Sequence, residues 1–295
     1  MITIFTPTYN RLELLKKLAE SLEIQTNKNF NWLIIDDGSE DNTEDWINNY
    51  MKESNFEIHY IKQKNQGKHV AFNKAIESCN TEFLINVDSD DFLDENAIQI
   101  IYQMITSLDE KDIGCICGKK IGNNHDVKLW KSLNGLSVNI LDMKEKYGIV
   151  ETTIIFKMKY LSKYRFQVFY DDNGRQERFA PEGLLYAQLI NEGYFKIFDK
   201  CFYFAEYQKD GLTNNIFKTL WCNNFYSVNA ALNLKYKVVK NYPLLIKFKT
   251  RIKCILNINA LCLKKNKNIF KYTPSKILSS LLIIPSYFFM IKRFK

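Results

Sequence analysis

The residues best able to do chemistry are Asp88-Ser89-Asp90-Asp91, three carboxylates in four positions directly behind the apolar run Phe83-Leu84-Ile85-Asn86-Val87. Drawn together into a dry site, they would repel one another by several kcal/mol. A bound divalent cation removes that conflict, and hard oxygen ligands suit Mg²⁺ or Mn²⁺. In an extended segment Asp88 and Asp90 point the same way, so one can hold a metal while the other holds a ribose. Read structurally, the same residues are an acidic loop capping a helix that starts near Glu95. Asp36-Asp37-Gly38-Ser39 is a second acidic turn. Either Gly38 takes a positive φ at a strand end and Ser39 or Asp41 starts a helix, or Asp37 accepts the imide N–H of a uracil or other base. Thr8 and Tyr9 would then form the facing wall. Asn65-Gln66-Gly67-Lys68-His69 places a glycine turn at a helix start, where free amides and Lys68 favour an anion such as a diphosphate. An ordinary turn explains that segment too, and a histidine at a helix start such as His69 is more often a cap or surface group than a catalytic acid.

These clusters need elements to hold them together. Short β-rich runs at Ile2–Thr6, Asn31–Asp36, Glu57–Lys62, Phe83–Val87, Ile113–Gly118 and Thr152–Phe156 alternate with helical periodicities such as Leu12, Leu15, Leu18, Leu22. Trp46, Ile47 and Tyr50 belong to a short helix whose start signal is Asp41-Asn42-Thr43-Glu44. The alternation predicts an α/β domain with a mostly parallel, Rossmann-like sheet. Such a sheet leaves its ligand crevice at the C-terminal strand ends. Thr6-Pro7-Thr8-Tyr9-Asn10 follows the first strand, Asp36–Ser39 the second and Asp88–Asp91 the fourth. After residue 119 the pattern loosens. Lys119–Asn139 reads as loops or an excursion over the sheet, and Leu184–Ile190 as an apolar-periodic helix behind Phe179-Ala180-Pro181-Glu182-Gly183. From Asn214 the chain reads as helical, basic and aromatic.

In order and spacing, Thr6-Pro7-Thr8-Tyr9-Asn10-Arg11, Asp36-Asp37-Gly38-Ser39 with Asp41 and Thr43, Asn65-x-Gly67-Lys68-His69-x-Ala71-x-Asn73 and Asp88-Ser89-Asp90-Asp91 resemble the motifs of glycosyltransferase family 2. The resemblance implies the GT-A fold, an inverting mechanism and a nucleotide-diphosphate sugar donor, commonly a uridine one. Position by position it implies base contacts from Thr8, Tyr9 and Asp37, a ribose or diphosphate contact from Asp88, and Asp90 as ligand of Mn²⁺ or Mg²⁺. Lys68 and Asn73 match the segment lining the diphosphate. Thr6, Pro7, Arg11, Gly67 and Ser89 complete the donor-binding set. The family's base is an acid at a helix start in the acceptor half, often within a Glu-Asp pair. The matching segment here is Ala180-Pro181-Glu182-Gly183, which selects Glu182 with Glu177 as fallback; a first-turn charge after Pro181 is its structural alternative. Processive relatives carry Gln-x-x-Arg-Trp, whereas Gln208 here precedes Lys209-Asp210-Gly211. Single-sugar addition is therefore expected.

Residues 1–118 are expected to form the nucleotide-sugar-binding half, 119–213 the acceptor-binding half of the same domain, and 214–295 a helical, basic extension. That extension is distinctive in charge. Of 41 Lys and Arg, 16 fall from Ile216 onward with no Asp or Glu, so the preceding residues hold 25 basic groups against 33 acids. Such a tail calls for a polyanion, and an anionic membrane is preferred because no nucleic-acid recognition motif accompanies the charge. The apolar run Ile277–Ile291, flanked by Lys276, Lys292, Arg293 and Lys295, is shorter than the roughly 20 residues of a spanning helix and contains Pro285. An interfacial anchor and a helix packed on the body both fit it. Seven scattered cysteines without metal spacing read as buried thiols, and the chain opens in a strand without a secretion-signal pattern. The expected location is cytoplasmic, at the inner face of the cell membrane. The expected partners are a nucleotide-sugar donor and a glycan or lipid-linked acceptor of a bacterial surface polysaccharide.

Two other classes compete. A nucleotidyltransferase would use paired carboxylates too, but with a Gly-rich basic loop after the first strand in place of Thr-Pro-Thr-Tyr-Asn. A non-catalytic sugar-nucleotide-binding module would keep the base pocket and lack the base, which makes Glu182 the discriminator.

Overall fold

A computed structural model describes residues 1–122, 126–205 and 216–294. The segment Gln208–Gly211, the expected start of the tail at Asn214, and Lys295 lie outside the described residues. The chain divides into two compact units, Met1–Arg165 with Leu189–Gln208, and Phe166–Gln188 with Lys209–Lys295. These boundaries differ from those drawn on sequence at 118/119 and 213/214.

Among the described residues the first unit is built on one sheet of nine strands. They are β1 (Ile2–Thr8), β2 (Phe30–Asp36), β3 (Glu57–Lys62), β4 (Phe83–Asn86), β5 (Asp91–Leu93), β6 (Asp112–Ile121), β7 (Ser137–Val138), β8 (Thr152–Lys157) and β9 (Tyr194–Ala205). The order is β3-β2-β1-β4-β8-β6-β9-β5, with β7 also on β9. β3, β2, β1 and β4 are mutually parallel, as are β6 and β9; β8 runs antiparallel between β4 and β6. The mostly parallel sheet expected from the alternation is present. β2 is buried at all seven positions, which is why it reads as a continuous apolar run.

Helices α1 (Leu12–Glu23), α2 (Thr43–Glu53), α3 (Lys68–Ser78) and α4 (Ala97–Thr106) connect or follow the parallel strands. Leu15, Leu18 and Leu22 of α1 join Ile2, Ile4, Trp32 and Ile34 in one core cluster. Phe5 points to the opposite sheet face, where its ring meets Phe72 of α3 edge-on at 5.3 Å. Smaller helices α5 (Val127–Leu133), α6 (Ile140–Glu145) and α7 (Met158–Leu161) complete the unit. Lys119–Asn139 is therefore more regular than the sequence suggested. β6 continues to Ile121, Asp126 caps α5 by accepting from Leu129 N–H at 3.0 Å, and β7 pairs with β9.

The second unit is helical: α8 (Gly183–Tyr186), α9 (Phe225–Val238), α10 (Leu244–Lys264), α11 (Ile269–Tyr272), α12 (Lys276–Leu281) and α13 (Ile283–Arg293). The helix expected over Leu184–Ile190 is broken. Gln188 N–H reaches back to Leu185 O while its side-chain amide takes Leu184 O at 2.9 Å, closing α8 before the 3₁₀ turn Leu189–Asn191 of the first unit. The C-terminal half of α10, from Cys254 to Cys262, is buried almost all round and is the axis of the cluster that includes Phe225, Val228 and Phe294. The run Ile277–Ile291 splits at Leu282 into α12 and α13, with Pro285 in the first turn of α13 where its missing N–H costs nothing. Ile283, Phe289 and Met290 pack on the cluster, and no helix among the described residues is long and apolar enough to cross a membrane.

Candidate functional site

The loops behind β1, β2, β3 and β4 all emerge at C-terminal ends of parallel strands, and polar contacts tie them into a closed ring. Between the first two loops, Asn10 N–H donates to Ser39 Oγ at 2.9 Å and Glu40 N–H to Asn10 Oδ1 at 2.8 Å. Asn10 itself sits at φ 49°, a left-handed conformation that asparagine tolerates. From the second loop to the third, Asp37 Oδ1 accepts from Gln63 Nε2 and Gln66 N–H, both at 2.8 Å, and Oδ2 from Gly67 N–H at 2.7 Å. Lys68 then reaches Asp88 at 2.8 Å, and Arg11 closes the ring on Asp90 at 3.0 Å.

The second acidic turn is shaped by its own carboxylates. Asp36, fully buried, accepts from Ser39 N–H and from the Tyr60 hydroxyl, both at 2.7 Å. Burial, reinforced by the bond to Asp36, pushes the Tyr60 hydroxyl well above its usual range. Gly38 takes φ 88°, as expected, and a Cβ there would lie 2.9 Å from Asn65 N. The loop needs glycine both for its dihedral and for the approach of the third loop. Asp37 thus has a backbone-holding task that the sequence did not reveal, and three of its roughly four acceptor positions are used.

Asp88-Ser89-Asp90-Asp91 is a turn and not the extended segment expected, because Asp91 N–H bonds back to Asp88 O at 3.0 Å. Strand alternation therefore does not orient Asp88 and Asp90; the turn and two cations do. None of the three acids caps α4, whose start is instead met by Gln25 Oε1 on Ile98 N–H at 3.1 Å. Burial would raise the Asp88 carboxyl, but Lys68, then Lys119, and the Asn86 amide hold it well below the usual range. Asp91 is 5% exposed and bonded to Lys119 Nζ at 2.7 Å, with burial still raising it against that pairing. Tyr203, buried on β9, donates to Asp91 Oδ2 at 2.7 Å, accepts Asp88 N–H at 2.9 Å, and lies with its ring under Lys119 at 4.4 Å. Sequence reasoning missed Lys119 and Tyr203. Neither sits in a motif, and Tyr203 lies 115 positions beyond Asp88.

The remaining donor-set residues divide by exposure. Thr6 is fully buried and its hydroxyl accepts from Trp32 Nε1 at 2.9 Å, so it serves the core. Thr8 is buried, its hydroxyl has no hydrogen-bond partner among the described residues, and its carbonyl receives Asp37 N–H at 2.8 Å. Tyr9 is exposed, Pro7 and Asn73 are half-buried, and Ser89 is buried within the acidic turn. Gly67 is the N-cap of α3 at φ 95°. His69 is buried, against expectation, and burial pushes its imidazole down to about 4.

Asp88 and Asp90 offer hard oxygens from side chains 29% and 21% exposed. Among the described residues no group of three or more His, Cys, Asp or Glu is arranged to hold a metal. One or two carboxylates completed by phosphate oxygens is how Mg²⁺-type ions are commonly bound, so the donor set fits a divalent ion shared with a diphosphate. Partly exposed pairs such as Arg11–Asp90 contribute on the order of 1 kcal/mol and are exchangeable. The buried Lys119–Asp91 pair is not, since losing one partner costs about 3–5 kcal/mol.

The acids of the second unit separate cleanly. Glu177 is buried, and its two oxygens accept Tyr226 N–H at 2.8 Å and Ser227 N–H at 2.7 Å, capping α9. Glu182 is exposed at the N-cap position of α8 and accepts from the Tyr186 hydroxyl at 3.0 Å.

The family model described as Glycosyl transferase family 2 matches residues 3–172. Bacterial glycosyltransferases of Streptococcus pneumoniae and Rickettsia felis are 32% to 35% identical over 99 to 119 residues, and the chain spans only 38%, 16% and 15% of their lengths. The GalNAc(5)-diNAcBac-PP-undecaprenol beta-1,3-glucosyltransferase of Campylobacter jejuni is 24% identical over 97% of this chain and 94% of its own. Among solved structures, the 1–349 segment of S. aureus TarS in complex with UDP-GlcNAc gives a TM-score of 0.57 at 16% identity, covering 99% of this chain and 89% of that one. Mannosyltransferase PcManGT of Pyrobaculum calidifontis, in complex with GDP-Man and Mn²⁺, gives 0.56 at 13% identity, covering 99% and 83%. These structural likenesses establish the fold, the GT-A fold expected from the motifs. With more than half of its length matched by the family model, the chain belongs to glycosyltransferase family 2.

Proposed function

We propose that the chain transfers a sugar, with inversion, from a nucleoside-diphosphate donor, a UDP-sugar, to a hydroxyl of a cell-surface glycan or lipid-linked acceptor. The observation that carries this reading is the ring of four loops, in which two carboxylates of the acidic turn face two exchangeable cations, Lys68 and Arg11. A nucleoside diphosphate supplies the groups such a ring lacks: a base for the wall of Thr8 and Tyr9 with the remaining acceptor position of Asp37, a ribose for Asp88, and phosphates for Lys68, Arg11 and the Gly67 turn. Asn73 lies one and a half turns into α3, on the same segment. Asp90 would hold Mn²⁺ or Mg²⁺, whose chemistry is to neutralise charge on the departing diphosphate.

Glu182 takes the proton from the acceptor hydroxyl as that oxygen forms its bond to the anomeric carbon and the bond to the diphosphate oxygen breaks. Its exposure supports this role, while Glu177 has both oxygens committed to α9. The undecaprenol-linked acceptor in the name of the Campylobacter relative supports a lipid-linked acceptor, and the acid-free tail supports a location at the inner face of the cell membrane. The test is calorimetric titration of UDP, GDP and ADP with and without Mn²⁺. UDP binding strengthened by Mn²⁺ is expected; equal binding of all three nucleotides, or none, overturns the donor assignment.

A further inference from the structure

The outward side of the C-terminal helices is apolar where water-facing helices carry polar residues. Ile277, Leu281, Ile284 and Phe288 follow at intervals of four, three and four positions, and are 77%, 71%, 72% and 66% exposed. Four-residue spacing places Ile277 and Leu281 on one exposed face of α12 and Ile284 and Phe288 on one exposed face of α13, and together they make an apolar stripe along the two helices. Tyr287 widens it, half-exposed, with its ring 6.0 Å from Phe288. The first turn of α10 exposes a second group, Leu244, Leu245 and Phe248. Meanwhile Ile283, Phe289 and Met290 hold the other side of α13 on the core, and Arg293 is spent there too, 3.5 Å from the Phe217 ring centroid. The helix is thus both packed on its unit and apolar outward.

We propose that the Ile277–Leu281–Ile284–Phe288 stripe is a membrane-seating face whose occupant is the headgroup–acyl boundary of an anionic bilayer. Charge selects this occupant. The chain from Ile216 onward carries 16 Lys and Arg and no acid, and exposed Lys276 and Lys292 bracket the stripe. An apolar stripe between cations suits a helix lying in the interface plane, aromatic rings at headgroup level and lysines at the phosphates. A second copy would set two acid-free cationic surfaces against each other, which repulsion opposes. With α12 of 6 and α13 of 11 residues, the segment lies on a bilayer and does not cross it. This deepens the membrane contact proposed above and rests on none of the donor-loop geometry.

The test is co-sedimentation of the full chain with vesicles of phosphatidylglycerol in phosphatidylcholine, against phosphatidylcholine alone. Binding to the anionic vesicles should exceed binding to neutral ones and weaken as salt rises, because screening acts over about 10 Å at 0.1 M. The double variant Leu281→Glu, Ile284→Glu should lose about tenfold or more of that binding, and Leu281→Ser, Ile284→Ser an intermediate amount. Both residues are solvent-exposed, so melting temperature and UDP affinity should stay at wild-type values. Variants that sediment like wild type, a wild type indifferent to anionic lipid, or variants that dissolve a wild-type dimer in light scattering would each overturn the proposal. Loss of UDP binding by the wild type would instead strike the donor reading and leave the vesicle result standing.

Discussion

The Tyr203 hydroxyl donates to Asp91 Oδ2 at 2.7 Å and accepts the Asp88 backbone N–H at 2.9 Å, so one atom of β9 fixes both ends of the acidic turn. Removing it should disturb the turn without touching Asp90 or the loops behind β1, β2 and β3. Tyr203→Phe leaves the Asp88 N–H and an Asp91 lone pair unsatisfied, at a cost of about 1–3 kcal/mol. We expect a lower melting temperature and a roughly tenfold weaker Mn²⁺-dependent affinity for UDP, with turnover at saturating donor changed less. A variant that melts earlier yet binds UDP as wild type does would make Tyr203 a scaffold residue only.

Lys119 is the permanent cation of the site. Its partner Asp91 is buried and its own side chain is 13% exposed; burial lowers its ammonium, but the charges of Asp88 and Asp91 outweigh that and raise it. Lys119→Met strands Asp91 and should destabilise the first unit by about 3–5 kcal/mol. Adding Asp91→Asn removes the stranded charge and should restore a large part of that loss. Denaturant unfolding of the two single variants and the double variant measures the coupling; additive losses would contradict it.

Much of the first unit was legible because strands buried on both faces, such as β1 and β2, leave contiguous apolar runs. β1 to β4 and β8 were placed to within two residues, and the polar clusters at their ends were recognisable as motifs. What escaped was of three kinds. Asp37, Asp36 and Thr6 have side-chain partners, and a motif names a residue without naming its neighbours. Tyr203 and Lys119 come from β9 and the end of β6, whose adjacency to the acidic turn exists only in the folded sheet. The tail was read as either membrane-facing or packed on the body, and α13 has one side packed on the helical core and one apolar side exposed, a distinction that composition averages away.

His69 gives a pH signature. Burial holds its imidazole at about 4 in the folded chain, below the usual 6.5, so the unfolded state takes up the proton first. Its contribution is fully present above pH 6.5 and declines as pH falls toward 4, by at most about 3 kcal/mol. Unfolding free energies of wild type and His69→Gln across that window should converge as pH falls. Parallel curves would show that His69 titrates normally.

The most direct test of the whole account is release of nucleoside diphosphate from UDP-sugars in Mn²⁺, comparing wild type with Asp90→Asn and Glu182→Gln. Wild type should turn over, slowly with water and faster with an acceptor, and excess EDTA should stop it. Asp90→Asn should lose both Mn²⁺-dependent UDP affinity and release, since the amide no longer offsets the cation. Glu182→Gln should keep that affinity while acceptor-dependent release falls roughly 10²-fold or more. Wild-type release in EDTA, or an undiminished rate in Glu182→Gln, would contradict the mechanism.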